Sequence, residues 1–534
     1  MNNEELEARL QSIGTEACRK WAAEIIEKHK PLGRYLQRAY VYTAKAKGYV
    51  KANKLLRQLD EKLTWKGYST TICTSDIEDL SEKYAYVCTS QYEQAYARTK
   101  SVQKSCDSVR MYVRKRGIGD PFPNNWLKQP EAKLVSIIKR LCDKRWWKRV
   151  IRKILTSQIE TVLRDLGYVK KQTAPYISNY SLAKYKQGRI RQSDYIDSNM
   201  VVSEYGEYFP LRQAVDASVS NPKVQRAELM TRMRGLEEVA RELELTPLFI
   251  TMSCPSKYHA YYGQSGRLNP KFQRFTPKNA QDYLLRTFSQ IRADLHKKEI
   301  SMAGFRICEP HHDGTPHFHL LLYVFPEHAQ AVSQIFTKHC LKEDGDEKGA
   351  LENRCDVKKL DLDDRSPTGY IAKYIAKNID GDSVGVDHET GEDSASSSLR
   401  VKAWASIWAI RQFQAIGNTP QTIYREFRRL PKALTEEYPK QAEQARKAAD
   451  EGDYAEFIRA NGGLFVSRKE LPFRAMHVIR TKFSQYGEDV KKLVGIVINA
   501  GQELITRDTN YMIMPAMMVL GQKAAQPPPL EYCQ

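Results

Sequence analysis

Glu309–Val324 reads EPHHDGTPHFHLLLYV and places His317 and His319 two residues apart in a β-forming run, with Glu309 eight residues upstream of the first. Successive strand side chains point to opposite faces, so both imidazoles project from one side and Phe318 from the other. Further along, GYIAKYIAKNIDG (Gly369–Gly381) sets Tyr370 and Tyr374 four residues apart, with Lys373 and Lys377 each three after a tyrosine. On a helix these four lie on nearly the same face. Imidazole with carboxylate suits Mn²⁺ well and Mg²⁺ acceptably, leaving positions open for phosphate oxygens. A tyrosine hydroxyl is barely ionised at neutral pH, so it attacks a phosphodiester only with help from a polarised phosphate or nearby positive charge. The metal would supply the first and the lysines the second. Together the two segments suggest cutting and rejoining of DNA through a covalent phosphotyrosine. Neither is decisive alone, because a His-x-His strand or a tyrosine pair beside lysines is more often structural.

Local signals say how these residues would be held. Asp313-Gly314 is a turn signal, and a hairpin folding about Asp313 would set Glu309 directly across from His317 with its carboxylate on the same face. That register makes Glu309, His317 and His319 a three-ligand cluster. His311 and His312 fall in the connecting loop as substitute ligands, DNA contacts or merely exposed residues. Ser366-Pro367 is a helix start, Ser as cap and Pro in the first turn, and Gly381 is a stop. Ile371, Ile375 and Ile379 form a separate apolar stripe, the buried one, so the tyrosines need not be core.

The surrounding chain has 534 residues, 84 Lys and Arg against 64 Asp and Glu, a net charge of +20 and a pI of about 9.3. This balance favours a polyanionic partner, nucleic acid above all. The ten cysteines are scattered without two-residue spacings and read as reduced thiols. The acidic start MNNEELEARL and the lack of a long apolar run argue against secretion and membrane insertion.

The fold class expected is α+β. Residues 1–244 are read as a mainly helical, basic N-terminal domain suited to DNA binding, broken at Arg116–Asn125 and along the polar stretch Gln172–Tyr208. Lys133–Lys153 carries nine Lys/Arg against one Asp around Trp146 and Trp147. Such a mixture can grip phosphates and stack on bases, although the tryptophans themselves read as core. Residues 245–430 are read as a central domain, expected to be the nuclease because it holds both the Glu309–Val324 and the Gly369–Gly381 segments. Short apolar runs there (Pro247–Ser256, Ser301–Glu309, His317–Phe325) alternate with helical stretches such as Ala280–Lys298, which predicts an antiparallel sheet flanked by helices. Asp380–Ser398 is expected to be a flexible acidic loop. Residues 431–534 are mixed, with a hairpin at Lys491–Arg507 and a disordered tail at Gln522–Gln534. Trp404, Trp408 and Arg411 either touch DNA or pack, and tryptophans at this spacing are more often core.

At this point the chain resembles the HUH-type replication initiator endonucleases, specifically the replication gene A proteins of temperate tailed bacteriophages. LFITMSCPSKYH (Leu248–His259) is similar to the first family motif, PHFHLLLYV to the second and YIAKYIAKN to the third, in the expected order. Likeness extends to LCDKRWWKR near Trp146, RAELMTRMRGLEE from Arg226 and AWASIWAIRQFQAIG from Ala403; the long insertion after the tyrosine helix departs from it. The resemblance implies His317 and His319 as paired ligands, Glu309 as the acidic third, and Tyr370 and Tyr374 as nucleophiles. It also implies rolling-circle initiation. One tyrosine nicks single-stranded origin DNA and leaves a 3′-OH primer, a host helicase and DNA polymerase extend it, and the second tyrosine completes the cycle in the bacterial cytoplasm. A plasmid or transposon relaxase would share this chemistry. Two further readings differ in kind: a non-enzymatic basic DNA-binding protein with a structural metal, and a hydrolytic nuclease using metal-bound water.

Overall fold

Every residue of β6 (Ala303–Pro310) and β7 (Pro316–Val324) is buried, so these strands must be covered on both faces. The computed structural model, which describes residues 8, 10–263, 265–362, 366–381, 394–417, 419–480, 484–499 and 501–523, shows how. With β5 (Thr246–Met252), β8 (Cys355–Lys359) and β9 (Phe413–Ile416) they form a five-stranded sheet in the order β8-β5-β7-β6-β9, every neighbouring pair antiparallel. The architecture is α+β, with the antiparallel sheet expected from the sequence.

Strand alternation sorts the side chains into two cores. On one face Leu248, Ile250, Met252, Phe318, Leu320 and Leu322 pack against α11 (Pro277–Lys297), α12 (Ala329–Cys340) and α15 (Ser394–Trp408). On the other, Phe249, Phe305, Ile307, Leu321 and Tyr323 meet α10 (Pro222–Glu242), α14 (Pro367–Ile379) and α18 (Tyr454–Ala460). His317, His319 and Glu309 belong to this second face by their place in the alternation. Ile371, Ile375 and Ile379 are at most 1% exposed and anchor α14 to it.

Contacts divide the chain into two compact units, Met1–Tyr168 with Ile479–Lys492, and Val169–Val478 with Leu493–Gln534. The first is mainly helical: α1 (Glu16–Lys28), α2 (Gly33–Lys47), α3 (Tyr49–Leu63), α4 (Thr74–Thr99), α5 (Val102–Lys115), α6 (Glu131–Leu141) and α7 (Lys144–Asp165), with the short pair β1 (Thr64–Trp65) and β2 (Tyr68–Ser69). Trp147 is fully buried here, its indole donating to the Leu141 carbonyl at 2.7 Å, and half-buried Trp146 packs edge-on against it. Arg145, Arg149, Arg152 and Lys153 of the same helix stay exposed. The aromatic and basic residues of this stretch therefore separate, the rings into the core and the charges onto the solvent face.

In the second unit the polar stretch Gln172–Tyr208 is not a break: it contains α8 (Asn179–Asp197), capped by Ser178. Only Ser181 and Leu182 of this helix are buried, which is why no apolar period marks it. After α8, β3 (Asn199–Ser203) and β4 (Tyr208–Pro210) pair, and β13 (Tyr511–Pro515) joins β3 from far along the chain. A short α9 (Leu211–Asp216) precedes α10, α13 (Ala350–Arg354) precedes β8, and α16 (Gln421–Phe427) and α17 (Lys440–Glu451) follow β9. The expected hairpin is present as β11 (Val490–Ile498) and β12 (Gln502–Ile505), beside β10 (Phe473–Arg480).

Two loop expectations change. Ser394–Ser398 open α15 instead of closing the acidic loop, and Ser397 and Ser398 are buried; residues 382–393 of that loop lie outside the described residues. Gln522 and Lys523 complete α19 (Ala516–Lys523), and the rest of the expected disordered tail, 524–534, is likewise outside them. The nine cysteines among the described residues are free, and no helix there is long and apolar enough to cross a membrane.

Candidate active site

The hairpin between β6 and β7 forms in the expected register, Glu309 opposite His317 and Ile307 opposite His319. Its turn is held tightly. The His311 amide donates to the Thr315 carbonyl at 2.7 Å, the Gly314 amide to the His311 carbonyl at 2.8 Å, and Gly314 takes φ +81°, a conformation that favours glycine. Asp313, fully buried, accepts from the amides of Thr315 and Ala260, and the Trp404 indole donates to the Gly314 carbonyl at 2.8 Å. Trp404 and Trp408 are thus buried packing residues, and exposed Arg411 donates to the Phe413 carbonyl.

This hairpin brings Glu309, His317 and His319 together: one ligand atom from each lies within 4.8 Å of the others. The three are 2%, 4% and 6% exposed. The two Nε2 atoms face each other at 2.9 Å, and the Glu309 carboxylate is 4.0 Å from His319 Nε2. Burial holds both imidazoles below their usual range; the His319 value falls to about 3, with the positive charges of Lys377 and Lys373 adding to burial. Two neutral imidazoles aimed nitrogen to nitrogen must share either one proton or one cation, and a carboxylate beside them favours the cation. The donor set therefore fits a divalent metal. Thr251, opposite His319 in β5, sits 3.2 Å from its Nδ1 and fixes the ring so that Nε2 points inward. The Nδ1 of His317 has no hydrogen-bond partner among the described residues.

His311 lies outside this triplet. It stacks on His317 with ring centroids 4.0 Å apart, its Nε2 is enclosed without a partner among the described residues, and burial pushes its pKa well down. It is neither exposed nor among the three grouped ligands. His312 is 3.2 Å from the Tyr261 carbonyl.

Helix α14 begins as expected, Ser366 accepting from the Gly369 amide and Pro367 in the first turn, and Gly381 closes it with φ +69°. It carries Tyr374 against His319, with ring centroids 4.3 Å apart, and both Tyr370 and Tyr374 against Phe249 of β5. Both tyrosines pack at the margin of the second core. The two lysines have different surroundings. Lys373 has its ammonium over both tyrosine rings, at 4.8 and 5.2 Å. Lys377 lies 3.8 Å from the Glu309 carboxylate and over the Tyr176 ring.

Three residues of this site were not singled out by sequence. Asn378, 1% exposed, donates to Glu309 and to the Tyr374 carbonyl, and accepts from Gln412 at 2.9 Å. Its signal is the helical period, since it falls four residues after Tyr374 on the tyrosine face. Thr251 lies in the first motif, where only the register with β7 distinguishes it. Gln412 has no sequence signal.

Known proteins similar to this chain are phage and prophage replication proteins. The family model for the bacteriophage replication gene A protein matches residues 71–382, a span that includes every residue of the Glu-His-His cluster and of the tyrosine face. The chain is 36% identical to the replication gene A protein of Escherichia phage 186 over 402 residues, 73% of this chain and 57% of that protein. It is 36% identical to the replication gene A protein of Escherichia phage P2, over 72% of this chain and 52% of that one. A probable replication endonuclease from a prophage-like region of Salmonella paratyphi A is 32% identical, over 68% of this chain and 47% of that protein. The chain spans about half the length of the curated relatives it matches. No solved structure matches it. With the family model covering more than half of its length, the chain belongs to the bacteriophage replication gene A protein family.

Proposed function

We propose that this chain is a metal-dependent DNA nicking endonuclease and strand transferase that initiates rolling-circle replication of phage DNA. One observation carries the reading: Tyr374 packs its ring 4.3 Å from that of His319, so a candidate nucleophile adjoins a buried Glu-His-His cluster. The names of its relatives, replication gene A protein and probable replication endonuclease, support DNA as the substrate.

A cation held by Glu309, His317 and His319, Mg²⁺ or Mn²⁺, would polarise the scissile phosphate. The chain's own residues do the rest. The phenolic oxygen of Tyr374 bonds to phosphorus as the bond from phosphorus to O3′ breaks; the phenolic proton passes to solvent and the departing oxygen takes one up. The products are a 5′-phosphotyrosine and a free 3′-OH, and no nucleotide hydrolysis is needed. Lys373, over both rings, offsets charge as a phenolate develops. Lys377 and Asn378 keep Glu309 in place. Tyr370, one turn earlier, provides the second cut while Tyr374 still holds an end; the released 3′-OH then attacks the phosphotyrosine, restoring a phosphodiester and freeing the tyrosine. Single-stranded origin DNA, a host helicase and a host polymerase are the partners this cycle requires, in the bacterial cytoplasm. The basic region 1–244 would hold the DNA, and a nuclease domain at 245–430, which follows it in sequence, would cut it.

Incubation of the protein with labelled single-stranded origin DNA and Mn²⁺ or Mg²⁺, followed by denaturation, tests this. A covalent adduct is expected for wild type and none for Tyr370→Phe/Tyr374→Phe. Cleavage that leaves a free 5′-phosphate and survives the double substitution would overturn it.

A further inference from the structure

The α14 helix crosses the sheet. Its tyrosines stand over β5 and β7, while Asn378 near its end reaches Glu309 on β6 and Gln412 ahead of β9. Beyond Asn378 and Gln412, which form part of its wall, a cavity of about 1010 Å³ opens along β9. Asn378 is shared between the two places: it lines the cavity and donates to Glu309 of the Glu-His-His cluster.

The lining is strongly cationic. Arg232 comes from α10, Arg292 from α11, Lys402 from α15, Arg411 precedes β9, and Arg468 and Arg474 come from the approach to β10 and its start. Glu228 is the one carboxylate among the described lining residues, and it is already held by Arg425 and Gln421. Arg232, Arg292, Lys402 and Arg468 make no ion pair among the described residues. Arg232 is only 2% exposed and its Nε lacks a hydrogen-bond partner among the described residues; its guanidinium lies over Phe305 and Tyr454 at 5.2 and 5.7 Å. A buried guanidinium whose Nε has no partner among the described residues favours an anion placed beside it. Burial likewise lowers the Lys402 ammonium's pKa, with Arg189 adding to the effect and Asp380 opposing it. Half-buried Phe413 and Phe465 supply ring faces on the same lining.

We propose that this cavity binds the phosphodiester backbone of the single DNA strand flanking the scissile phosphate, the cations holding phosphates and Phe413 and Phe465 stacking on bases. Cationic walls interleaved with aromatic side chains are what single-stranded nucleic acid requires. The proposal rests on the nicking reading only for the identity of the ligand. Its place explains why Asn378 both shapes the cavity and holds Glu309: a strand drawn along β9 comes directly to the cluster.

The test uses the full chain in EDTA, so that no cutting occurs, and fluorescein-labelled single-stranded oligonucleotides read by anisotropy over a range of salt. Arg292→Gln/Lys402→Gln/Arg468→Gln is compared with Lys297→Gln/Lys298→Gln/Lys342→Gln, which removes the same charge from exposed positions that do not line the cavity. The cavity variant should bind about tenfold more weakly or worse, and its slope of log affinity against log salt should fall by about 0.7 for each lost phosphate contact. The control should bind as wild type, and both should keep the wild-type melting temperature. Equal binding by the cavity variant and wild type would overturn the proposal, as would displacement of the oligonucleotide by a free nucleoside triphosphate at micromolar concentration, the mark of a nucleotide pocket. Covalent-adduct assays on wild type report separately on the nicking reading. A wild type that nicks while the cavity variant binds normally sinks this inference alone; a wild type that never forms an adduct while the variant loses binding sinks the nicking reading alone.

Discussion

Asn378 donates a hydrogen bond from its side-chain amide to Glu309, joining the tyrosine helix to the strand that carries the candidate acidic ligand. Because the same amide reaches the Tyr374 carbonyl, the positions of the candidate ligand and the candidate nucleophile are mechanically linked.

Asn378→Leu should therefore weaken Mn²⁺ binding, measured by calorimetry, about 10- to 100-fold, the usual effect of losing an outer partner of a metal ligand. It also leaves Gln412 and Glu309 short of a partner, so urea denaturation should show a loss of about 1–3 kcal/mol. Unchanged metal affinity would mean that Glu309 does not depend on this contact.

The two tyrosines should differ. Tyr374 meets His319, whereas Tyr370 meets Phe249. Tyr374→Phe is expected to abolish the first cleavage of an origin oligonucleotide, and Tyr370→Phe to leave the first cut but block strand rejoining. Mapping the adduct peptide by mass spectrometry decides the order.

Stability without metal should fall in acid. The His319 value in the folded protein is about 3, chiefly through burial, against 6.5 when exposed. Between those pH values the unfolded chain binds more protons, so stability is complete above pH 6.5 and is lost progressively as pH falls toward 3. His317 and His311 shift in the same direction. Urea midpoints from about pH 7 to about pH 4 should decline less in His319→Gln than in wild type. With Mn²⁺ present the decline should steepen, because protons and metal compete for the same nitrogens.

Metal should stabilise the fold by mass action, about 2.7 kcal/mol at roughly one hundred times its dissociation constant. The rise in melting temperature on adding Mn²⁺ should vanish in His317→Ala/His319→Ala and on adding EDTA.

Trp404→Phe removes the indole donor to the Gly314 carbonyl and leaves that buried acceptor short of a partner, at about 1–3 kcal/mol. A shift in denaturation midpoint with single-strand affinity unchanged would identify Trp404 as a residue that holds the turn and does not stack on DNA.

The sequence by itself determined the local parts of the site. Strand alternation put His317 and His319 on one face, the Asp313-Gly314 turn set Glu309 opposite His317, and Ser366, Pro367 and the isoleucine stripe delimited α14 and its buried side. Each depends on residues close in the chain, where backbone geometry leaves few choices. Tertiary structure decided what lies across those parts. Thr251 behind His319 comes from the pairing of β5 with β7 and His311 over His317 from the closing of the hairpin, while the division of labour between Lys373 and Lys377 and the chain from Glu309 through Asn378 to Gln412 arise from the docking of α14 across β5, β7 and β6. The same holds for α8, which shows almost no apolar face, and for the cationic cavity along β9, whose walls come from separate segments of chain. Packing partners far apart in sequence leave no periodic trace in either one, so their meeting is written only in the folded chain.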